Sequence, residues 1–208
     1  IAEKYIISSC VISNNLVLKN SKPFFSENES DLNLFITSLY HFIKIDYPKF
    51  YKMDNLSKLG WLASEILLTD ESSLKQFQPA EIAIVLTNAN ASLDADEKYF
   101  QTIKKIASPA LFVYTLPNIV IGEICIRNNF KGENSFFIFK DFNAAFIEQY
   151  VNDLFNNNIA KLCICGWVDV LAENYKAALF LVSKNKAQNA VLFTKENLDS
   201  IFKSIYWK

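Results

Sequence analysis

Hydrophobic spacing along the chain switches repeatedly between a period of two and a helical period, and the switches mark out its elements. Residues 5–13 (YIISSCVIS) are a β-branched run that predicts a strand, continued or paired by 16–18 after the Asn14-Asn15 turn. Residues 21–29 are polar and carry Pro23, which predicts a loop, with Phe24 and Phe25 turned inward. From Leu32 the period lengthens. Leu32, Phe35, Ile36, Leu39 and Phe42 share one face of a helix over 32–43, and Asp31 can cap it. An aromatic turn follows at 47–51 (YPKFY). A second helix is predicted over 53–68, where Leu56, Leu59, Leu62, Ala63, Ile66 and Leu67 recur at helical spacing and Asp54 suits the positive end of the dipole.

After a polar loop at 69–79, residues 81–86 (EIAIVL) read as a buried strand ending in the small polar cluster Thr87-Asn88-Ala89-Asn90, and a helix over 94–105 comes next. The stretch 108–169 holds three of the four glycines (Gly122, Gly132, Gly166) and three of the four cysteines (Cys125, Cys163, Cys165). It predicts a buried apolar helix, a Lys-Gly turn and a short aromatic strand at Phe136, Phe137, Ile138 and Phe139. A helix start at 141–143, a long helix and an apolar strand ending at Gly166 complete it. Beyond it, 176–182 and 190–193 read as two strands joined by a charged hairpin-like turn at 183–189. Thr194 caps a last helix with Leu198, Ile201, Phe202 and Ile205 inward. Wholly apolar strands that alternate with helices of about ten residues or more predict a single α/β domain over 1–208: a layered fold with a mixed, largely parallel sheet covered by helices.

The chain has 208 residues, 51% of them hydrophobic, with 18 Phe and 9 Tyr, enough to bury a substantial core. A formal net charge of -1, with no basic run longer than Lys104-Lys105, argues against nucleic acid as a partner, because phosphate binding needs clustered cations. Four cysteines without a paired framework predict reduced thiols and a cytoplasmic protein. Cys163 and Cys165 share a strand face but have no Cys or His nearby in sequence, so they read as core residues, and no metal or cofactor is expected. His41, the single histidine, falls off the apolar stripe of its helix and reads as a surface residue. No apolar run reaches the ~20 residues of a membrane span, and no signal peptide is visible in a chain that opens at Ile1. The 14% aromatic content suggests extra apolar surface for a ligand or partner.

A strand that runs into a helix N-terminus is a recurrent place for chemistry, since the backbone N–H groups and the dipole stabilise an anion or depress a nucleophile's pKa. The residue at this turn is Asp141, next to Phe142 and Asn143. A carboxylate there is already an anion, so the dipole makes it a weaker base. Capping the helix, worth ~1 kcal/mol, is its expected role. Its titratable neighbour Lys140 points the other way by strand alternation.

Several segments keep the order and spacing of one family. They are Lys52-Met53-Asp54-x-x-Ser57-Lys58, the strand 82–86 with its loop, Ser108-Pro109, Leu116-Pro117-Asn118, Gly122-Glu123-Ile124-x-Ile126, Gly132-Glu133 and Cys165-Gly166-Trp167-Val168-Asp169. Over residues 5–169 they resemble the N-terminal half of the β-ketoacyl synthases, thiolase-fold condensing enzymes of fatty acid and polyketide synthesis. Gly132-Glu133 stands where that family has Gly-Pro, and 165–169 where it has Ala-Gly-Gly-x-Glu. The resemblance implies a nucleophilic cysteine at the start of the buried helix, and counting 25 residues back from Gly166 reaches Asp141. Every residue from 126 to 162 is something other than cysteine, so the acyl-accepting thiol is missing in any nearby register. The two histidines of the family's C-terminal half are missing as well.

A member without the thiol resembles the chain-length factor, the inactive partner that pairs with a true ketosynthase and shapes the acyl tunnel. Half-length versions are similar to proteins of aryl polyene and flexirubin pigment synthesis. The resemblance implies a heterodimer with an active β-ketoacyl synthase, or a homodimer, and indirect contact with acyl carrier protein. Chain-length factors carry Gln at the cysteine position, and Asp141 departs from that. The resemblance also implies that Phe136, Phe137, Ile138 and Phe139 form an edge strand pairing antiparallel across a dimer two-fold. An uncovered aromatic edge is otherwise an aggregation hazard. Phe112, Tyr114 and Leu116 would narrow the tunnel floor, with core packing the alternative for each. Two other functions stay open: a malonyl decarboxylase or carrier-protein-dependent transferase using Asp141 or Asn143, and a homodimeric carrier-protein docking scaffold.

Overall fold

The computed structural model describes residues 2–28, 31–69 and 72–205. Its strands are β1 (Tyr5–Ser13), β2 (Leu16–Lys19), β3 (Lys22–Ser26), β4 (Ile82–Asn88), β5 (Asn134–Ile138), β6 (Leu162–Leu171), β7 (Asn174–Ser183) and β8 (Val191–Leu192). The helices are α1 (Leu32–Phe42), α2 (Asn55–Leu68), α3 (Leu93–Ile103), α4 (Pro109–Phe112), α5 (Ile119–Asn128), α6 (Ala144–Asn156) and α7 (Lys195–Phe202). The strands form one sheet in the order β3-β2-β1-β7-β6-β4-β5, with β8 beside the start of β1.

The expected layered α/β fold with a mixed sheet is what forms, but parallel pairing is confined to β4 with its neighbours β5 and β6. Every other described pairing is antiparallel. The connections dictate this. β1–β2, β2–β3 and β6–β7 are hairpins, which force antiparallel neighbours, whereas helices carry the crossovers among β4, β5 and β6. Asn14-Asn15 (φ 50 and 56) and Asn20-Ser21 (φ 51 and 61) are left-handed at both positions, the geometry of a two-residue hairpin turn.

The second of these turns creates β3, where the spacing predicted a loop. Pro23 is tolerated because β3 is the outermost strand and its register with β2 shifts beside the proline. The hairpin expected from 176–182 and 190–193 does not form either. β7 and β8 flank β1 on opposite sides, with Ile6 opposite both Val182 and Val191. Along β1, β2 covers only Cys10 to Ser13, so the first residues of β1 are left open for β8. The loops expected at 21–29 and 69–79 include residues 29, 70 and 71, which lie outside the described residues.

Side-chain caps start five of the described helices, Ser108 accepting from Leu111 N at α4. Asp31 accepts from Leu34 N, Asp54 from Ser57 N, Asn143 from Phe146 N and Thr194 from Asn197 N. One apolar core lies between the sheet and α1, α2 and α5, around Phe35, Leu59, Trp61, Ile84 and Ile164. A second lies between the other sheet face and α6 and α7, around Val85, Ile147, Val151, Phe155, Phe180 and Leu198. His41 sits in the last turn of α1 and is exposed.

Candidate functional site at an open sheet edge and a helix start

The ends of β4 and β6 are tied together by one buried carboxylate. Asp169 accepts from Ala89 N (3.3 Å), Asn90 N (3.0 Å) and Asn90 Nδ2 (2.7 Å), fixing the loop that leaves β4. Asn88 closes the same loop on itself through Ala91 N and O, and Ser92 Oγ donates to Thr115 O at 2.9 Å. Gly166 has φ 144, and a Cβ there would run into the Ala178 carbonyl of the neighbouring strand, so only glycine fits.

From this end of the sheet the chain runs through β5 into α6. Phe139, just past the strand, still donates to Asn88 O, at 2.9 Å. Asp141 follows in the turn and is exposed. It does not cap α6, as the sequence suggested. Asn143, two residues on, takes that place, because the turn needs both residues before the helical geometry begins. A shallow cleft of about 440 Å³ opens here, lined by residues 139–145 with Lys195 and Asp199 of α7. Phe142 stacks on Phe202 of α7 with ring centroids 4.1 Å apart, so α7 covers one side of the helix start. Lys176 holds the end of α7. The residue is 1% exposed, and its ammonium donates to Ile205 O at 2.9 Å and sits 4.0 Å over the Phe202 ring. Burial pushes its pKa down to about 8.

None of the four cysteines belongs to this helix start: Cys10 is in β1, Cys125 in α5, and Cys163 and Cys165 are in β6, buried in the core that α6 covers. Burial pushes the thiols of Cys10, Cys125 and Cys165 up, which keeps them neutral and poor nucleophiles. Among the described residues no three His, Cys, Asp or Glu side chains are grouped to hold a metal ion, and no single helix is long and apolar enough to cross a membrane.

β5 is the last strand of the sheet on its side. Ile84 N donates to Glu133 O and Phe139 N to Asn88 O. Alternation along the strand therefore turns the odd-numbered residues toward β4, and the N–H and C=O groups of Asn134, Phe136 and Ile138 point outward. Phe136 packs against the α5 side and Phe137 against the α6 side. Phe137, Phe139, Phe146 and Tyr150 make a half-buried aromatic group along the rim, with centroids 4.7 to 5.0 Å apart at the closest pairs. Ile138 is 49% exposed.

The three residues expected at a tunnel floor are divided. Phe112 and Leu116 are 59% and 56% exposed. Tyr114, between them in a 3-10 turn, is buried, and its hydroxyl donates to Glu123 Oε1 at 3.4 Å. Burial, with the Glu123 carboxylate close by, pushes the Tyr114 phenol up to about 12. The other Glu123 oxygen lies 2.7 Å from Lys49 Nζ, a close ion pair whose angle falls outside hydrogen-bonding geometry. Sequence reading missed that Val113, beside Phe112, is exposed too, and that Phe100, Ile103 and Ile106 of the preceding segment are exposed as well. The signal was Phe100, Ile103 and Ile106, spaced three apart at the end of an otherwise polar helix. It also missed that Asp169, noted only as part of a motif, anchors the β4 loop.

No protein-family model matches the chain, and no curated protein matches its sequence. Solved structures do match. The ishigamide ketosynthase/chain length factor aligns with a TM-score of 0.62 at 15% identity, covering 89% of this chain and 63% of that one. A chain of the AntDE:AntF structure, described as a type II PKS acyl-carrier protein in complex with its ketosynthase bound to the hexaketide, aligns at 0.60 and 13% identity, covering 88% and 62%. A chain of the structure described as a ketosynthase (ApeO) in complex with its chain length factor (ApeC) from Xenorhabdus doucetiae gives 0.56 and 13%, covering 89% and 80%. The chain thus spans less than two thirds of the first two. Over most of its length it has the fold of the ketosynthase and chain-length-factor structures.

Proposed function

We propose that the chain is a non-catalytic, chain-length-factor-like subunit that pairs with an active β-ketoacyl synthase in fatty acid- or polyketide-type synthesis, of the aryl polyene kind. The observation that supports this reading is the start of α6, where Asp141 is exposed and no cysteine is present, at the position that counting from Gly166 matches to the family's thiol. Without a thiolate there is no acyl acceptor, so covalent condensation lacks its first step.

What remains at the site suits assembly. The outward N–H and C=O groups of Asn134, Phe136 and Ile138 are those an antiparallel partner strand would take up. The exposed apolar surface around Phe112 and Leu116 is of the kind a partner covers. Phe112 and Leu116 are the residues that would meet a growing acyl chain at the paired surface, with Tyr114 holding the turn that presents them. Carrier protein would reach the pair through the active subunit. Two of the similar structures are described as a ketosynthase with its chain length factor, which supports a partner of this kind. A homodimer in isolation would be the same contact made with a second copy.

Co-expression with a cysteine-bearing ketosynthase, followed by mass measurement of the purified species, should give a one-to-one pair. In the reconstituted pair, Phe112→Ala should lengthen the products. Carbon dioxide released from malonyl-loaded carrier protein by this chain alone, and abolished by Asp141→Ala, would overturn the reading.

A further inference from the structure

Phe112 and Leu116 stand exposed on either side of the 3-10 turn Val113–Thr115. One turn of this kind is too short to hold itself by backbone bonds alone. Two side-chain hydrogen bonds fasten it to distant segments. From the loop after β4, Ser92 Oγ donates to Thr115 O. From below, Tyr114 enters the core beneath α2 and α5, and its hydroxyl reaches Glu123 of α5.

The second tie ends in a charge. Glu123 is 5% exposed, and its other oxygen faces the ammonium of Lys49, which comes from the 3-10 turn Pro48–Lys52. Arg127, one helical turn along α5, is paired with Glu65 of α2, which leaves Glu123 to Lys49. A buried charge pair is a poor way to fill space, since apolar side chains of similar volume hold a fold as well or better. What a charged chain of contacts adds is direction. The ammonium fixes the carboxylate, the carboxylate fixes the phenol, and the phenol fixes the height of the turn over the core.

We propose that Lys49 and Glu123 are positioning residues, which act through Tyr114 to set where Phe112 and Leu116 stand. The positioning is a property of the unpaired chain. Its consequence for products rests on the tunnel role proposed above. A turn free to shift leaves the two side chains at no fixed depth, so products of mixed length follow. A cation on one element then governs specificity at residues supplied by another.

Amide hydrogen exchange of the unpaired chain tests the positioning, because local opening is read residue by residue. Tyr114→Phe keeps the ring and removes the hydroxyl. The double substitution Lys49→Met with Glu123→Gln removes both charges and strands neither. Each should speed exchange across residues 112–119, which include the bonded amides of Phe112 and Ile119. The change should be roughly fivefold, the shift in open population that one lost hydrogen bond gives, while β6 and β7 exchange as in the parent. Lys49→Arg, which keeps a cation, should keep the parent rate. In the pair with an active ketosynthase, both variants should broaden the product distribution, where Phe112→Ala lengthens it. Unchanged exchange at 112–119 in the double variant overturns the positioning. Exchange that rises equally in β6 and β7 also overturns it, since the three side chains are then ordinary support of the core. If Phe112→Ala lengthens products and neither variant broadens them, the turn is held without setting length, and the proposal fails. If Phe112→Ala leaves product length unchanged, the tunnel role falls by itself, and exchange alone decides whether Lys49 and Glu123 position the turn.

Discussion

Proline at position 138 separates the outward side of β5 from its inward side. Ile138 is half exposed, and alternation places its N–H on the open side of the strand. Ile138→Pro therefore removes one outward donor and no bond to β4, and an edge strand tolerates proline in that setting. In the pair, the partner carbonyl opposite loses its donor as water is excluded from the edge. A stranded buried acceptor costs about 1–3 kcal/mol, so the dissociation constant should rise ~5- to 150-fold. Sedimentation of the purified pair across a concentration series reads this directly, with the melting temperature of the unpaired chain as control. A substituted chain that melts like the parent and pairs with unchanged affinity would refute the assignment of β5 as the pairing edge. A chain that melts several degrees lower would refute the ladder alternation on which the argument depends.

Other expectations follow from single side chains. Asp169→Ala leaves two backbone N–H groups and the Asn90 amide without their acceptor. At ~1 kcal/mol for each lost bond it should lower stability by about 3 kcal/mol in urea unfolding, with Asp169→Asn intermediate. Lys176 has a folded-state pKa near 8, below that of the unfolded chain. The unfolded state therefore binds more protons between those values, and stability should rise from pH 8 to about pH 10, by at most about 3 kcal/mol. Lys176→Met should flatten that rise in denaturation curves taken across the window. Above pH 10 the raised phenols of Tyr114 and Tyr175 work the other way, and stability should fall in both proteins. In the reconstituted pair, Phe112→Ala should shift products to longer chains, read by mass spectrometry, and an unchanged length would remove Phe112 from any tunnel role.

Much of the fold was legible because local signals agreed with tertiary packing. Asp31, Asp54 and Thr194 mark helix starts in the sequence and cap them in the structure. The apolar runs of β4, β6 and β7 are buried on both faces. The failures came where the deciding contact is distant. β3 reads as a loop because Pro23 signals a break, and only its place at the rim of the sheet makes it a strand. β7 and β8 read as a hairpin because nothing in 176–193 reveals that β1 lies between them. At the candidate site, the lack of any cysteine from 126 to 162 and the aromatic strand were visible as residues. The split of Tyr114 from Phe112 and Leu116 was not, since it depends on Glu123 and Lys49 arriving from α5 and from the turn before α2. Asn143 rather than Asp141 caps α6 because of turn geometry, which carries no composition signal.

The two rims of the sheet differ in kind, and the difference sets how many chains can join. At β3 the rim carries Lys22 and Pro23 beside a register shift, features that discourage any added strand. At β5 the rim offers a regular run without lysine or proline. A body with one joinable rim can be extended once. When two copies of this chain join in that way, both ends of the merged sheet are β3 rims, and a third copy finds nothing to add to. Raising the concentration should fill the pair and then stop, where a sheet open at both rims would polymerise into fibres.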